Sequence, residues 1–569
     1  MTNPAVVDWR KRWGNSWVDQ IRDQDPCEAC WAFASTALVE CMVRINQGVW
    51  TVRSEGDLHD GMGSKCGSCG NPDAALTWVQ SNGIADPQCY GWPVVTNDSQ
   101  ISTMRTSSYF NPWPNTCLGS TNPPYTGSTV AANYNPTSDR DGRTVKIDGF
   151  TTLGSVSDEK TWIDTVGPLV CSYDVYDDFF GYTTGVYKQS SAPSNKYAGG
   201  HVMLIVGYDD TQNAWIVKNS WGTGWGQSGY VYIGYGQCNI DTYAKYGLTL
   251  TNPDPWTKRR LHSGNIFESG DGSNHRNFEM LLPANGGALT HWWRNNDVST
   301  FPWAKAETFG NDSVVSWPAF TGTTYNRNFE TVFQTTSNRL HHWYYDQASG
   351  TWKDGGIFGP TNVAGRPAFI ESNYGAPGNF EVVVATADGK LSHWERDNSK
   401  SSMPWSNVAT FGSHIAFGGA TLVQSQFGTQ GNFEFVAVLG NGQMQHWWRN
   451  NDSPTKPWAP SVTFGSGVSS QPCMIQGTYG MSNEYANGNF ELCVAVKGMI
   501  QHWWRDNSSG SQPWTLSATF GDGTITAVGG LLQGSFGFNL ELIAEHGNGH
   551  IQHYYRDGNM VWHAAEVIV

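Results

Sequence analysis

No run of 18 or more apolar residues occurs in the 569-residue chain, which excludes a membrane-spanning helix. Charged residues are scarce at 15%, and acidic side chains outnumber basic ones 49 to 34, giving a formal charge of −15. So little positive charge excludes a nucleic-acid partner, because phosphate binding needs a basic surface. The net charge itself reads as solubility, not as a clue to substrate. The opening Met-Thr-Asn-Pro lacks the basic and apolar regions of a signal peptide, so the expectation is a processed form or a protein made without one. Cysteine almost vanishes from the second half: of 11, only Cys473 and Cys493 lie beyond residue 240. The density before that point favours an oxidising compartment. Secretion is therefore the expected location, with a cytoplasmic protein released without a signal as the alternative.

Aromatic residues are plentiful, 13% of the chain with 28 Trp, and Gly occurs 65 times. That profile suits compact β-rich or enzyme domains and excludes disorder. The length exceeds what one hydrophobic core supports, so two or more domains are expected. The sequence changes character near residue 250. Before it, residues 30–46 are rich in helix formers and end ahead of Gly48, while 202–208, 214–218 and 230–233 read as strands. Residues 94–143 are polar and rich in turn formers, which reads as a long loop insertion.

The chemistry is concentrated in three short stretches. Cys30 opens the expected helix, where unpaired N–H groups and the macrodipole favour a thiolate, the reactive form of cysteine. A lone cysteine there is ordinarily structural; its company changes the reading. His201 precedes an apolar strand, and Lys218-Asn219-Ser220-Trp221-Gly222 follows the next one. A histidine serving as base needs a partner that fixes its second ring nitrogen, which the Asn219 carbonyl supplies while Trp221 shields the bond from water. Gln24, just upstream of Cys30, offers a side-chain amide to a developing oxyanion, with the Cys30 backbone N–H as second donor. An imidazolium beside a thiolate is the expected resting state.

Residues 6–245 resemble the papain and cathepsin family of cysteine peptidases. Val7-Asp8-Trp9-Arg10, Gln24, Cys30-Trp31-Ala-Phe, Gly-His201, Asn219-Ser-Trp221-Gly and the run from Gly222 through Trp225 to Tyr230 match the family's blocks in order. The resemblance implies a helical subdomain facing a β-rich one, the site in the cleft between them, and protein or peptide substrates. It also implies disulfides: Cys27 with Cys69, and Cys66 with Cys117 or Cys89. There are departures. Glu28 stands where the family has Gly, His201 lies farther from Cys30 because of the insertion, and the substrate-binding stretch is altered to Cys69-Gly70-Asn71-Pro72. No metal or cofactor is called for; zinc on Cys66-x-x-Cys69 would need a second pair at suitable spacing.

After a connector at 251–256 comes an internal repeat. Its copies begin at Asn277, Asn328, Asn379, Asn432, Asn489 and Asn539, 50 to 57 residues apart, each with Asn-Phe-Glu (Asn-Leu-Glu in the last), a strand, a turn and a His-aromatic-aromatic strand. Asn285-Gly286, Asp388-Gly389, Asn441-Gly442 and Asn548-Gly549 are hairpin turns. Such a period signals a β-propeller. Six copies favour six blades; Pro255-Trp256 and Val561-Trp562 leave a seventh open. The expected fold class is thus an α+β papain-like two-subdomain peptidase over 1–250, followed by an all-β propeller over 257–569.

Packing between blades accounts for many of the repeat aromatics. The recurring Arg beside them has less use in packing, and aromatic faces with planar hydrogen-bonding groups suit sugar rings. The repeats are similar to Photorhabdus-type β-propeller lectins, which implies pockets for fucose or O-methylated sugars. The residues so implicated are Trp292, Arg294, Trp394, Arg396, Trp447, Arg449, Trp503, Arg505, Tyr554 and Arg556. The leading expectation is a thiol endopeptidase carried to glycosylated surfaces by a multivalent lectin. The alternatives are a defence lectin or toxin in which the propeller acts, a propeller that docks proteins, and an acyl-transfer enzyme with the same triad.

Overall fold

A computed structural model of the chain describes all residues except 1–2, 15, 25–26, 48–49, 65–69, 88, 93–133, 137–139, 252–258, 270–276, 311–313, 375–377, 429, 482–486 and 535–538. It divides into two compact units, residues 1–254 apart from 47–49, and Pro255–Val569.

In the first unit the expected helix spans Cys30–Gln47. Ala32, Leu38, Val39, Met42 and Val43 are all buried. A helix apolar nearly all round has to sit inside the fold, and burial rather than a side-chain cap holds its first turn in place. Shorter helices cover Glu55–Gly61, Pro72–Asn82 and Val156–Thr165. The eight-stranded sheet contains the three expected strands, observed as Tyr197–Asp209, Ala214–Lys218 and Tyr230–Gly234, paired antiparallel in that order. Val6–Asp8 pairs with the far end of Tyr197–Asp209, and a Cβ on Gly207 would lie 2.1 Å from the Val7 carbonyl oxygen, so only glycine admits this strand. Most of the loop insertion, with Cys66, Cys69 and Cys117, lies outside the described residues.

The second unit is a β-propeller-like arrangement. Three four-stranded sheets and one five-stranded sheet follow in chain order, each an antiparallel meander carrying one repeat. The expected hairpins form; Gly442, for example, takes φ +78°, which the tight turn between Phe433–Leu439 and Met444–Arg449 requires. Four blade-like sheets therefore stand apart, not the six favoured by the repeat count. The last two repeats share one eight-stranded sheet because the 20-residue strand Trp514–Gln533 runs without a break from the outer edge of one into the next. Val561-Trp562 opens no seventh repeat: Trp562–Val567 is the outer strand of the sixth, paired with Ile551–Arg556. The first and sixth repeats meet. Trp303 Nε1 donates to Glu566 Oε1 at 2.6 Å, and Arg294 Nη1 donates to His553 Nδ1 at 3.4 Å.

Each repeat is wired internally by the residues that made the pattern visible. Asn277 Oδ1 accepts the Asn296 N–H, Phe278 lies under the Arg294 guanidinium at 4.2 Å, and Glu279 Oε2 accepts from His291 Nε2 at 2.8 Å. The same Glu–His bond recurs in the other five repeats, between 2.5 and 2.8 Å. Between repeats, a Trp stacks on the preceding blade's Phe, as Trp405 does on Phe358 with centroids 3.8 Å apart.

Candidate active site

Three elements of the first unit converge on one open cleft. Its lining includes Gln24, Glu28, Cys30, Val175, His201 and Trp221. Cys30 is half-buried at the first position of its helix and is a thiol, not half of a disulfide. His201 enters from the strand Tyr197–Asp209, opposite Tyr173, and is 6% exposed.

Asn219 follows directly on the strand Ala214–Lys218. Its Oδ1 accepts the Ser220 N–H at 2.8 Å, which identifies it as the acceptor, and accepts His201 Nε2–H at 2.9 Å. The hydrogen on Nε2 leaves Nδ1 as the proton-accepting nitrogen. Trp221 stacks on the His201 ring, centroids 4.8 Å apart, and Phe180 stacks on Trp221 at 5.5 Å. These faces keep water from the Asn–His bond.

Gln24 is held rigidly. Its backbone N–H donates to the Ser220 carbonyl at 2.9 Å, Ser220 Oγ donates to its Oε1 at 2.6 Å, and its Nε2 donates to the Cys27 carbonyl at 3.1 Å. An amide nitrogen carries two hydrogens, so one remains for an oxyanion. Ser220, unremarked in the sequence beyond its place in the Asn-Ser-Trp motif, fixes both Asn219 and Gln24. Beneath it the buried pair Lys218–Asp19, at 2.8 Å, anchors the end of the strand.

Burial pushes the Cys30 thiol up to about 12, with Glu28 adding to the rise and the backbone N–H groups of Val202 and Trp31 opposing it. It pushes His201 down to about 4, against the Asn219 hydrogen bond. Taken singly, each group is thus held neutral, and the expected imidazolium–thiolate resting pair is not what burial favours. Passing the proton from Sγ to the imidazole creates opposite charges at a helix N-terminus, and their attraction offsets the desolvation. With His201 as the base, its depression would set the acid limb of activity. Below about pH 4 His201 is protonated before it can take the thiol's proton, so kcat/KM should fall as pH drops through about 4, as a pH–rate profile with a fluorogenic peptide would show.

The implied disulfides fare unevenly. Cys27 is not among the seven cysteines present as thiols, and its implied partner lies outside the described residues. Cys89 is a buried thiol, so the Cys66–Cys89 alternative falls. Cys41, Cys171 and Cys238 are likewise buried thiols, and cysteine density therefore does not by itself mark an oxidising compartment. In the altered stretch, Asn71 caps the helix Pro72–Asn82 by accepting the Asp73 N–H, and Gly70 packs so close to Trp31 that a Cβ would lie 2.2 Å from the ring.

Residues 3–248 match the papain family cysteine protease model. The chain is 28% identical over 255 residues to a gut-specific cysteine proteinase of Caenorhabditis elegans, an alignment covering 42% of this chain and 71% of the relative. Digestive procathepsin L 3 of the Tenebrio molitor larval midgut, a solved structure, is 26% identical over 44% of this chain and 71% of that chain, with a TM-score of 0.32. Cathepsin B-like cysteine proteinase 5 of C. elegans is 30% identical over 259 residues, covering 43% of this chain and 74% of the relative. The chain belongs to the papain family of cysteine proteases. Its first unit is accordingly a cysteine peptidase, a hydrolase.

Outside the peptidase, the residues singled out for sugar binding turn out to serve packing. Trp447 and Tyr554 are core residues, and Trp292, Trp394 and Trp503 pack against buried clusters. Arg294, Arg396, Arg449, Arg505 and Arg556 are 4–7% exposed. The first four donate from Nε to the Asn two residues on, at 2.6–2.7 Å, and lie over their own repeat's Phe at 4.0–4.4 Å. Arg556 lies over Tyr479 at 4.6 Å. A packing motif does need an arginine here, because a guanidinium covers an aromatic face and pins a loop at once. The sequence reading missed the blade-contact positions. There, Trp405 Nε1 and His342 Nδ1 are buried with no hydrogen-bond partner among the described residues, their rings 6.0 Å apart. At the corresponding places Trp352 donates to Glu307, Trp458 to His393 and Trp562 to His502.

Proposed function

We propose that the peptidase is an endopeptidase working through an acyl-enzyme, with Cys30 as nucleophile, His201 as base and acid, Asn219 as the group that orients His201, and Gln24 as oxyanion donor supported by the Cys30 N–H. The observation that carries this reading is the Nε2–H bond from His201 to Asn219 in the cavity that also holds Cys30. As Sγ attacks the peptide carbonyl, His201 Nδ1 takes its proton. The proton then passes to the leaving amine, and water, deprotonated by the same nitrogen, releases the acid. Titration with a thiol-directed peptidyl inhibitor, followed by peptide mapping, tests the assignment; label on any cysteine other than Cys30 would refute it. By resemblance, Cys27–Cys69 and Cys66–Cys117 are the disulfides proposed for this unit.

We further propose that the second unit is a six-bladed carbohydrate-binding propeller, its eight-stranded sheet counting as two blades, and that the protein acts outside the cell on glycosylated surfaces. What supports ligand binding is the pair of unsatisfied ring nitrogens on His342 and Trp405. Buried polar atoms without partners are uncommon, and hydroxyl groups of a sugar such as fucose or an O-methylated hexose would satisfy them. A glycan array probed with the full chain should show such binding, lost or reduced in Trp405→Phe, which keeps the stack on Phe358 and removes the N–H. An array blank at every sugar would favour a protein-docking platform instead.

A further inference from the structure

The second unit holds two cysteines, and they face each other. Cys473 opens the inner strand Cys473–Gln476 of the fifth repeat, Cys493 lies on its neighbour Phe490–Val496, and the two are direct partners in the antiparallel register. Residues opposite each other in such a ladder carry their side chains on one face. Both thiols enter the same buried cluster, and neither has exposed surface. The Ala420 N–H donates to the Pro472 carbonyl and the Met474 N–H to the Ala420 carbonyl, both on the far side of the inner strand. The N–H and C=O of Cys473 therefore turn toward Cys493, and a pair bonded in this way has its Cα atoms about 5.5 Å apart. That is a common disulfide span; closing one brings the Cβ atoms together by about 1 Å. The inner strand has four residues and ends its sheet, so it can supply that movement.

A cation stands beside the pair. The buried Arg366 donates from Nη1 to Cys473 Sγ at 3.6 Å and to the Val528 carbonyl at 2.8 Å, and forms no ion pair with a carboxylate among the described residues. Burial raises the Cys473 thiol, and Arg366 opposes the rise. Burial raises Cys493 well above the ordinary range, and the charge of Cys473 adds to it. Cys473 is thus the sulfur that a positive neighbour readies for attack.

We propose that Cys473 and Cys493 are the two halves of an intrachain disulfide, formed by exchange with a small-molecule disulfide such as oxidised glutathione, and that the bond fastens the fifth repeat. The Cys473 thiolate attacks one glutathione sulfur, which releases one glutathione and leaves the other on Cys473. The Cys493 thiolate then attacks the Cys473 sulfur, and the second glutathione leaves. Two electrons pass from the cysteines to glutathione, and the two thiol protons end on the glutathiones released. Since both sulfurs are buried, exchange takes place during folding or through local opening of the blade. Neither peptide cleavage nor sugar binding depends on this bond.

The test uses the full chain, equilibrated with oxidised glutathione both from the native state near its unfolding midpoint and by refolding from urea. It is then quenched with acid and alkylated with iodoacetamide in denaturant. Trypsin spares Lys456-Pro457, so residues 450–497 are released as one peptide carrying both cysteines. That peptide should be unalkylated and lighter than the dithiol form by two hydrogens. Cleavage after Glu484 should leave its fragments joined until dithiothreitol is added. The bond closes a loop of about 20 residues, so the thermal transition of the second unit should rise by about 5 °C on oxidation. Cys493→Ala should abolish that difference; if the variant does not fold, the peptide map decides alone. Two alkylated cysteines after both routes, or glutathione retained on either without a link, would overturn the proposal. A link that leaves the transition unmoved would overturn its fastening role.

Discussion

Cys30→Ala should lower peptide hydrolysis by about 10⁵- to 10⁶-fold, the loss seen when a triad nucleophile is removed and only positioning and oxyanion donors remain. That corresponds to roughly 7–8 kcal/mol of transition-state stabilisation at 1.36 kcal/mol per decade. The expectation is specific to this sulfur. Cys41, Cys171 and Cys238 are also thiols, but they are fully or nearly buried. Burial pushes Cys171 and Cys238 to about 12 and Cys41 well above the ordinary thiol range, where Asp19 adds repulsion. Among the described cysteines, only Cys30 shares a cavity with His201 at a helix start. Hydrolysis of a fluorogenic peptide, read per mole of protein, checks it. Residual activity within a hundredfold of wild type would mean that another residue attacks. Glycan binding by the full chain should be unchanged in the same variant.

The largest expected effect on stability lies in the propeller. His446→Ala should lower the stability of the second unit by about 3–5 kcal/mol, because it leaves the buried carboxylate of Glu434 without its partner. His446 is fully buried and bridges two charged groups: its Nε2–H donates to Glu434 Oε2 at 2.8 Å, and its Nδ1 accepts from Arg505 Nη1 at 3.2 Å. Burial, and then the Arg505 charge, hold the imidazole below its usual range despite Glu434, which fits a neutral ring that donates on one side and accepts on the other. With the ring gone, Glu434 keeps the Ser425 hydroxyl, at 3.2 Å, and the more distant charge of Arg505, but no other hydrogen bond from a described side chain. Calorimetry of the full chain should show one unfolding transition several degrees lower, while the Cys30 titre is unchanged. Replacing both partners, as in Glu434→Leu with His446→Leu, should recover much of the loss, since the cost comes from the stranded charge. No shift in either transition would show that the pair contributes little.

How much of this was legible depends on how far the signal travels along the chain. The residues proposed for catalysis sit in short motifs with local meaning: Cys30 before a run of helix formers, Asn219 at the end of an apolar strand. The repeat was readable because hairpin turns and Asn-Phe-Glu recur at a steady period. The arginines misled. Beside aromatic residues, Arg294 or Arg449 looks the same whether it awaits a sugar or covers Phe278 or Phe433, and only cross-strand register brings the guanidinium over the ring.

The sequence by itself determined which residues are proposed for the chemistry, the papain-type set of Cys30, His201, Asn219 and Gln24, and the periodicity of a tandem of β-meanders. Residue type and local spacing suffice for those, because nucleophile, base and turn each need a particular side chain at a particular place. Only the tertiary structure decided which cysteines stay thiols, that Glu28 faces the nucleophile, that Ser220 locks Gln24, and that the last two repeats share a sheet. Those outcomes depend on distances between segments far apart in the chain, which burial and register set and no local pattern encodes.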